Sequence, residues 1–359
     1  MEKKALIAMS GGVDSSVAAL LCQQAGFDCM GVTLKLYDNE DAGLPREKTC
    51  CSVADVADAR SVAFRLGMPF YVFNFKEAFR REVMDRFVQA YERGETPNPC
   101  VDCNRYIKFE KLMRRGEEVG FPYIATGHYA RVEFDGAAGR WLLKKGLDEN
   151  KDQSYMLWSL TQWELSRLLL PLGGLTKERV RQLAEEHGFL NARKRDSQDI
   201  CFVPDGDYVA FIRRYAGKEF PPGAFVGTQG QVYGQHKGII HYTVGQRKGL
   251  GLSFPQPMFV KELDVEKNRV VLAKAEELFS QEVIARDINL ISVESIPAPL
   301  RVKARVRYRQ KEQPATVLQT GPGELRVVFD QPQRAVTPGQ SLVLYDGDVV
   351  VGGGKIARK

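Results

Sequence analysis

Ser10-Gly11-Gly12-Val13-Asp14-Ser15 stands directly after the apolar run Ala5-Leu6-Ile7-Ala8-Met9 and directly before Val17-Ala18-Ala19-Leu20-Leu21, which reads as a helix. A strand that feeds a loop of small residues and then opens a helix constrains this chain more than any other segment, because such a turn is built to hold an anion. Glycines let the backbone approach a phosphate, the hydroxyls of Ser10, Ser15 and Ser16 are placed to donate to it, and a helix N-terminus offers N–H groups with partial positive charge. The Gly-Lys-Ser/Thr of a Walker loop does not follow, and the segment is not the Gly-x-Gly-x-x-Gly of dinucleotide sites. The alternative is an ordinary polar strand-to-helix turn.

The first 130 residues keep this rhythm. The pattern predicts a helix to about 25, a strand over 29–34, a helix over about 52–67, a strand over 70–75, helices near 79–91 and 107–119, and a strand over 123–126. Such alternation predicts right-handed crossovers and a mostly parallel sheet with its ligand at the carboxyl ends of the strands. Residues 161–190 read as helical, with Leu165, Leu168 and Leu169 and then Val180, Leu183 and Ala184 at helical spacing. Beyond Pro204 short β-branched runs are separated by glycine and proline, as in Gln231-Val232-Tyr233-Gly234 and Gly238-Ile239-Ile240-His241, which predicts small β domains. The expectation for 359 residues is an α/β catalytic domain over 1–205, a small central β-rich domain over 206–280 and a C-terminal β-barrel over 281–359.

No stretch approaches the roughly 20 apolar residues of a membrane span. Met1-Glu2-Lys3-Lys4 runs straight into the first strand, so a cytoplasmic protein without membrane association is expected. Seven cysteines, an odd number, do not make a secreted disulfide framework; in a reducing compartment they are buried residues, metal ligands or reactive thiols. Of the net charge of +6, four units lie from Gln281 onward, where twelve lysines and arginines face eight acidic residues. Arg301, Lys303, Arg305, Arg307, Arg309 and Lys311 occupy every second position, which on a strand gathers them on one face. That face suits a nucleic-acid backbone; a solvated outer face of a barrel is the alternative.

Two further segments carry chemistry. In Thr96-Pro97-Asn98-Pro99-Cys100-Val101-Asp102-Cys103-Asn104, prolines stiffen a loop ending in Cys-x-x-Cys, and a following helix would place Cys103 near its N-terminus, where the dipole favours thiolate. Structural zinc would need two more ligands, and no second Cys-x-x-Cys or His pair is present. Ser197-Gln198-Asp199-Ile200-Cys201-Phe202 follows the basic cluster Arg193-Lys194-Arg195, which would also favour a thiolate at Cys201, although a buried structural cysteine fits as well.

The Ser10–Ser15 segment resembles the pyrophosphate loop of ATP pyrophosphatases. Taken with Thr96 through Asn104, Ile107-Lys108-Phe109, Ala125-Thr126-Gly127-His128-Tyr129, Lys151-Asp152-Gln153-Ser154-Tyr155, Ser197 through Phe202, and Tyr242 through Gly251, the whole chain resembles the tRNA-specific 2-thiouridylase family. The resemblance implies a Rossmann-like adenine-nucleotide α-hydrolase (PP-loop) domain followed by two small β-rich domains, and transfer of sulfur to position 2 of the anticodon wobble uridine. It implies ATP at Ala8, Met9, Ser10, Gly11, Gly12, Val13, Asp14, Ser15, Leu34 and Gly127, with Mg2+, and with Asp14 orienting metal or phosphate. Asn98, Pro99 and Cys100 would frame the target base; His128, Lys151, Asp152, Gln153, Arg307, Tyr308 and Gln340 would touch tRNA.

By the same resemblance Cys103 is the nucleophile and Cys201 the persulfide carrier, loaded by a sulfur-donor protein (a cysteine desulfurase or relay) and joined transiently to Cys103 as a disulfide. Cys100 supplies a third thiol, and three thiolates suit a [4Fe-4S] cluster with an open iron as well as they suit the persulfide route. His128 fits a packed structural histidine as well as a tRNA contact. Two other functions share the loop. Amide-forming ATP pyrophosphatases such as NAD, GMP or argininosuccinate synthetases have no need of the paired cysteines, and a non-catalytic RNA-binding module would bind tRNA without releasing pyrophosphate.

Overall fold

The computed structural model describes residues 2–38, 53–194 and 200–358. Ser52, Arg195 and Ser197-Gln198-Asp199, to which expectations attach above, lie outside the described residues. The chain divides into two compact units, one of Met1–Met84, Pro99–Gly206 and Asp348–Val351, the other of Asp85–Asn98, Asp207–Gly347 and Gly352–Lys359.

The first unit is built on strands β1 (Lys4–Ala8), β2 (Asp28–Lys35), β3 (Phe70–Asn74) and β4 (Tyr123–Ala125), an antiparallel hairpin of β5 (Ala130–Asp135) and β6 (Arg140–Lys145), and β7 (Leu168–Leu169). Five of these form a parallel sheet in the order β3-β2-β1-β4-β7. Ala5, Leu6 and Ile7 are fully buried, as a central strand covered on both faces requires. On one face α1 (Val13–Gln24) contributes Val17 and Ala18 to the same core as Val180 and Ala184 of the helix Lys177–Glu186, and α2 (Val53–Arg65) adds Val62 and Ala63.

Three expectations change here. Leu168 and Leu169 are an edge strand, paired with Ile124 and Ala125, because a Thr161/Glu164 capping box confines the preceding helix to Gln162–Leu165 and the leucines then bury by extending the sheet. Short apolar runs fit either period. The helix expected near 107–119 begins eight residues earlier, running through Pro99–Asp102, the π-helical stretch Cys103–Lys111 and Leu112–Glu118. The helix expected near 79–91 starts at Lys76, with a π-helical turn over Arg80–Met84 before Asp85–Glu92.

In the second unit, residues 207–217 form a helix where only β texture was expected: Tyr208–Ala216, capped by Asp207 at its start and by left-handed Gly217 at its end. It packs on Asp85–Glu92 through Phe211 against Phe87, Tyr208 stacked on Tyr91, and a 2.6 Å bond from the Tyr215 hydroxyl to Asp85. Strands β8 (Gly223–Gly227), β9 (Val232–His236), β10 (Phe259–Asp264) and β11 (Arg269–Ala273) make a sheet in the order β10-β11-β8-β9. Ile239–His241 is a single 3-10 turn rather than a strand, because Gly238 at φ +115 turns the chain just before it.

The remaining strands, β12 (Phe279–Leu290), β13 (Leu300–Arg305), β14 (Gln313–Gly321), β15 (Glu324–Arg334), β16 (Ser341–Asp346) and β17 (Val349–Ile356), run in the order β12-β15-β14-β13-β16-β17, and pairing of β12 with β17 closes the barrel. Val302 and Ala304 point into it while Arg301 and Lys303 are exposed, as alternation predicted. The strand stops at Arg305, and residues 306–310 form bends and turns, so the basic residues do not continue along one strand face. Among the described residues no helix is long and apolar enough to cross a membrane.

Leu6 sits fully buried at the centre of the parallel sheet. Leu6→Ala is expected to cost about 3 kcal/mol, read as a lower urea midpoint for the first unit.

Candidate nucleotide and thiol site

Strand order reverses at β1, which lies between β2 and β4, and the crevice at the carboxyl ends of such strands is where α/β sheets hold ligands. Ala8 ends β1, Leu34 lies near the end of β2, and Gly127 follows β4 by two residues, so all three reach that edge with the Ser10–Ser15 loop. The loop is closed by its own hydroxyls: Ser15 and Ser16 both donate to the Gly12 carbonyl at 3.0 Å, and Ser15 Oγ accepts from the Ser10 N–H at 3.3 Å. Those two hydroxyls therefore shape the cradle, and the exposed Ser10 and the first-turn N–H groups of α1 are the donors left toward an anion. Gly11 has φ +76, and a Cβ there would stand 2.4 Å from the Asp55 carbonyl oxygen. At Gly127 a Cβ would lie 2.8 Å from the Ser15 nitrogen, so only glycine lets the chain after β4 lie against the start of α1.

Asp14 does not stand open. Lys177 Nζ bonds both carboxylate oxygens, at 2.7 and 2.8 Å, and the Tyr129 hydroxyl donates to Oδ1 at 2.7 Å. The Lys177 side chain is only 7% exposed. Sequence reading missed it, though a signal existed: Lys177 is the first residue after the N-cap Thr176, where the helix dipole disfavours a cation, so a lysine buried there demands an acidic partner. Two more residues remote in sequence support the loop. Asn191 donates to the Gly11 carbonyl and to Ser16 Oγ, and Lys194 reaches the Gly11 carbonyl, Asp55 and Asp58 at 3.3, 2.6 and 2.7 Å.

Because the helix starts at Pro99, Cys100 occupies its first turn, exposed, and the 9% exposed Cys103 lies one turn on, at the start of the π-helical stretch. The dipole fades within the first turn, so its help to a thiolate goes to Cys100 rather than to Cys103 as expected. Pro99 suits the first helical position, having no N–H to leave unpaired. Asn104 is buried beside Cys103, its amide nitrogen donating to the Met156 carbonyl while Oδ1 has no hydrogen-bond partner.

Cys201 is half-exposed in a turn closed by the Val203 N–H on the Ile200 carbonyl. Cys103 and Cys201 are thiols here, not a disulfide. Burial pushes the Cys22 and Cys29 thiols up to about 12 and about 11, which leaves them inert. Among the described residues no group of three or more His, Cys, Asp or Glu is gathered to hold a single metal ion.

The residues that resemblance assigns to tRNA have strong internal roles. His128 is buried, bonded through Nδ1 to Thr126 Oγ1 at 2.7 Å and packed near Phe109. The buried Asp152 carboxylate accepts from the Gly146 and Ser154 N–H groups and the Ser154 hydroxyl, and Gln153 Oε1 accepts from the Tyr129 N–H. Lys151, beside them, is half-exposed. In the second unit, Arg307 Nη2 donates to the Val244 and Ala335 carbonyls and to Thr337 Oγ1, while Tyr308 is half-exposed. Gln340 Nε2 donates to the Thr96 carbonyl at 2.7 Å, and the Thr96 N–H donates to the Pro338 carbonyl, which pins the strand-like approach to Asn98.

Residues 3–205 match the family described as tRNA methyl transferase HUP domain, 209–274 the tRNA methyl transferase PRC-barrel domain, and 280–356 the aminomethyltransferase beta-barrel domain. The chain is 49% identical over 358 residues to the tRNA-specific 2-thiouridylase MnmA of Clostridioides difficile (strain 630), covering 100% of this chain and 99% of the relative. Against MnmA 1 of Thermoanaerobacter sp. (strain X514) identity is 51% over 357 residues, 99% and 98% of the two chains. A solved 4-thiouridine synthetase–RNA complex with bound ATP aligns with 60% of this chain and 50% of that one at 19% identity and TM-score 0.36, a likeness too low to carry an argument.

Two outcomes follow from the geometry. Lys177→Met strips the ammonium from Asp14 and from the anion cradle, and should lower ATP-dependent pyrophosphate release by at least tenfold, measured with saturating substrate RNA. Burial, aided by the Lys108 charge, holds the His128 pKa well below 6.5. The unfolded chain therefore takes up a proton that the native state refuses, and stability present above pH 6.5 is lost as pH falls, by up to about 1.4 kcal/mol per unit. Urea midpoints at pH 7 and pH 5 should differ less for His128→Gln than for the unsubstituted protein.

Proposed function

Because the chain belongs to the tRNA-specific 2-thiouridylase family, we propose that it replaces the 2-oxygen of the anticodon wobble uridine of tRNA with sulfur, consuming ATP. The observation that carries this reading is identity of about half with those relatives across the whole chain. Residues 1–205 do the chemistry in this reading, 206–280 and 281–359 hold tRNA, and the work is cytoplasmic.

Ala8 through Ser15, with the main chain at Leu34 and Gly127, hold ATP. Oxygen on a uracil ring is a poor leaving group, so the 2-oxygen first attacks the α-phosphorus: the O–P bond forms, the bond to the β-phosphate breaks, and pyrophosphate leaves. The N–H groups that open α1 and the Lys177 ammonium meet the charge that develops on it. Asp14 orients Lys177. Magnesium would travel as counter-ion of the triphosphate. With both Asp14 oxygens already bonded, no step here depends on a metal ligand at that residue.

Asn98, Pro99 and Cys100 frame the uridine. A sulfur-donor protein, a cysteine desulfurase or a relay, leaves a persulfide on Cys201. Its terminal sulfur attacks C2 and AMP departs; the Cys103 thiolate attacks the Cys201 sulfur, the persulfide bond breaks, and a Cys103–Cys201 disulfide remains for an external dithiol to reduce. Lys151 and Tyr308 face tRNA, while His128, Asp152, Gln153, Arg307 and Gln340 shape the segments that present it. A [4Fe-4S] cluster on Cys100, Cys103 and Cys201 is the alternative route, and iron and sulfide analysis of anaerobically purified protein separates the two.

Cys103→Ser and Cys201→Ser should each reduce 2-thiouridine to background while retaining tRNA-dependent pyrophosphate release, and Cys22→Ser and Cys29→Ser should thiolate normally. Nucleoside mass spectrometry of tRNA from complemented deletion cells reads the first, and a pyrophosphate assay the second. Thiolation by either of the first two variants would end the two-cysteine scheme.

A further inference from the structure

The backbone at Cys201 is gripped on both sides of its peptide unit. Tyr37, buried two residues beyond β2, donates its hydroxyl to the Cys201 carbonyl oxygen at 2.5 Å. The next side chain, Phe202, is buried edge-on against Phe79, ring centroids 5.7 Å apart, and Phe79 in turn lies 5.8 Å from the Tyr37 ring. The Val203 N–H on the Ile200 carbonyl closes the turn beneath, and Cys201 is left half-exposed beside the buried Phe202 and Val203. Packing in that cluster asks for an aromatic ring at position 37, and phenylalanine would fill it. The hydroxyl adds a directional bond that fixes the Cys201–Phe202 peptide plane, and with it the direction in which the Cys201 side chain leaves the backbone.

We propose that Tyr37 is a positioning residue for the carrier thiol, acting through the Cys201 main chain. This rests on Cys201 being the sulfur carrier. A carrier sulfur must meet C2 within about 3–3.5 Å along a defined line, and a misplacement on the order of 1 Å is costly in rate. Phe79 and Phe202 hold the turn as a whole; the Tyr37 hydroxyl sets its orientation.

Tyr37→Phe keeps the ring and deletes the bond. With full-length protein loaded with sulfur by a cysteine desulfurase, the single-turnover rate of 2-thiouridine formation should fall about fivefold, the effect of one lost hydrogen bond. The tRNA KM and pyrophosphate release should stay within experimental scatter of the unsubstituted protein, and Tm should fall by no more than the few degrees that one hydrogen bond is worth, a split that a merely structural role would not produce. Phe79→Leu, which loosens Phe202 and keeps the hydroxyl, should slow the same step. Unchanged thiolation in Tyr37→Phe overturns the proposal, as does a parallel loss of thiolation, pyrophosphate release and Tm. Cys201→Ser run alongside keeps the two ideas apart: if that variant still thiolates, the carrier assignment itself has failed.

Discussion

A buried ammonium bonded to both oxygens of one carboxylate is the interaction on which the nucleotide end of the first unit depends. Lys177 and Asp14 are 163 residues apart in sequence, and each sits in the first turn of its helix. Pairing them draws two helix N-termini toward one spot; the Lys177 helix has its first N–H groups met by Asp148 and Thr176, which leaves those of α1 as the open donors beside one lysine and one aspartate. Removing Asp14 alone would strand the buried Lys177 ammonium, which is why such a pair tolerates little change. The arrangement leaves a region whose remaining donors and dipoles favour anions, and a polyphosphate supplies the charge that one carboxylate cannot.

The parallel sheet and its loop were legible because their signals are local: β-rich apolar runs, glycines where a Cβ would strike backbone, and a helix starting where the loop ends. Lys177, Asn191 and Lys194 were not legible as partners of that loop, since nothing in spacing links residues 11 and 14 to residues 177–194; only the return of the chain beside α1 brings them there. The π-helical stretch at Cys103 was equally hidden, because its apolar spacing differs little from that of an ordinary helix. Its effect is local: Cys103 sits where helical geometry changes, as is common at functional sites.

Cysteine reactivity is sorted by burial and by position on a helix rather than by number. Cys22 and Cys29 lie in the sheet-and-helix core, where a thiolate is too costly, so they pack as small apolar residues. Cys100 has both exposure and the first helical turn. Cys103, one turn deeper, is screened from solvent, which protects its thiol from small oxidants.

Charge read from sequence overstates the field that the barrel presents. Arg301 forms a paired fork with Asp330 across the sheet, Arg305 is held by Glu312 in a partly buried pair, and Arg307 is spent on main-chain carbonyls and Thr337. Cross-strand acids cannot be seen in an i, i+2 pattern, because their register is set by strand pairing. Exposed outside these pairs are Lys303, Arg309 and Lys311, two of them in the irregular segment after β13. Attraction to a phosphate backbone through this region thus falls on residues that the strand argument alone would have ranked equal to their neutralised neighbours, while Arg307 contributes by fixing the segment that carries Arg309.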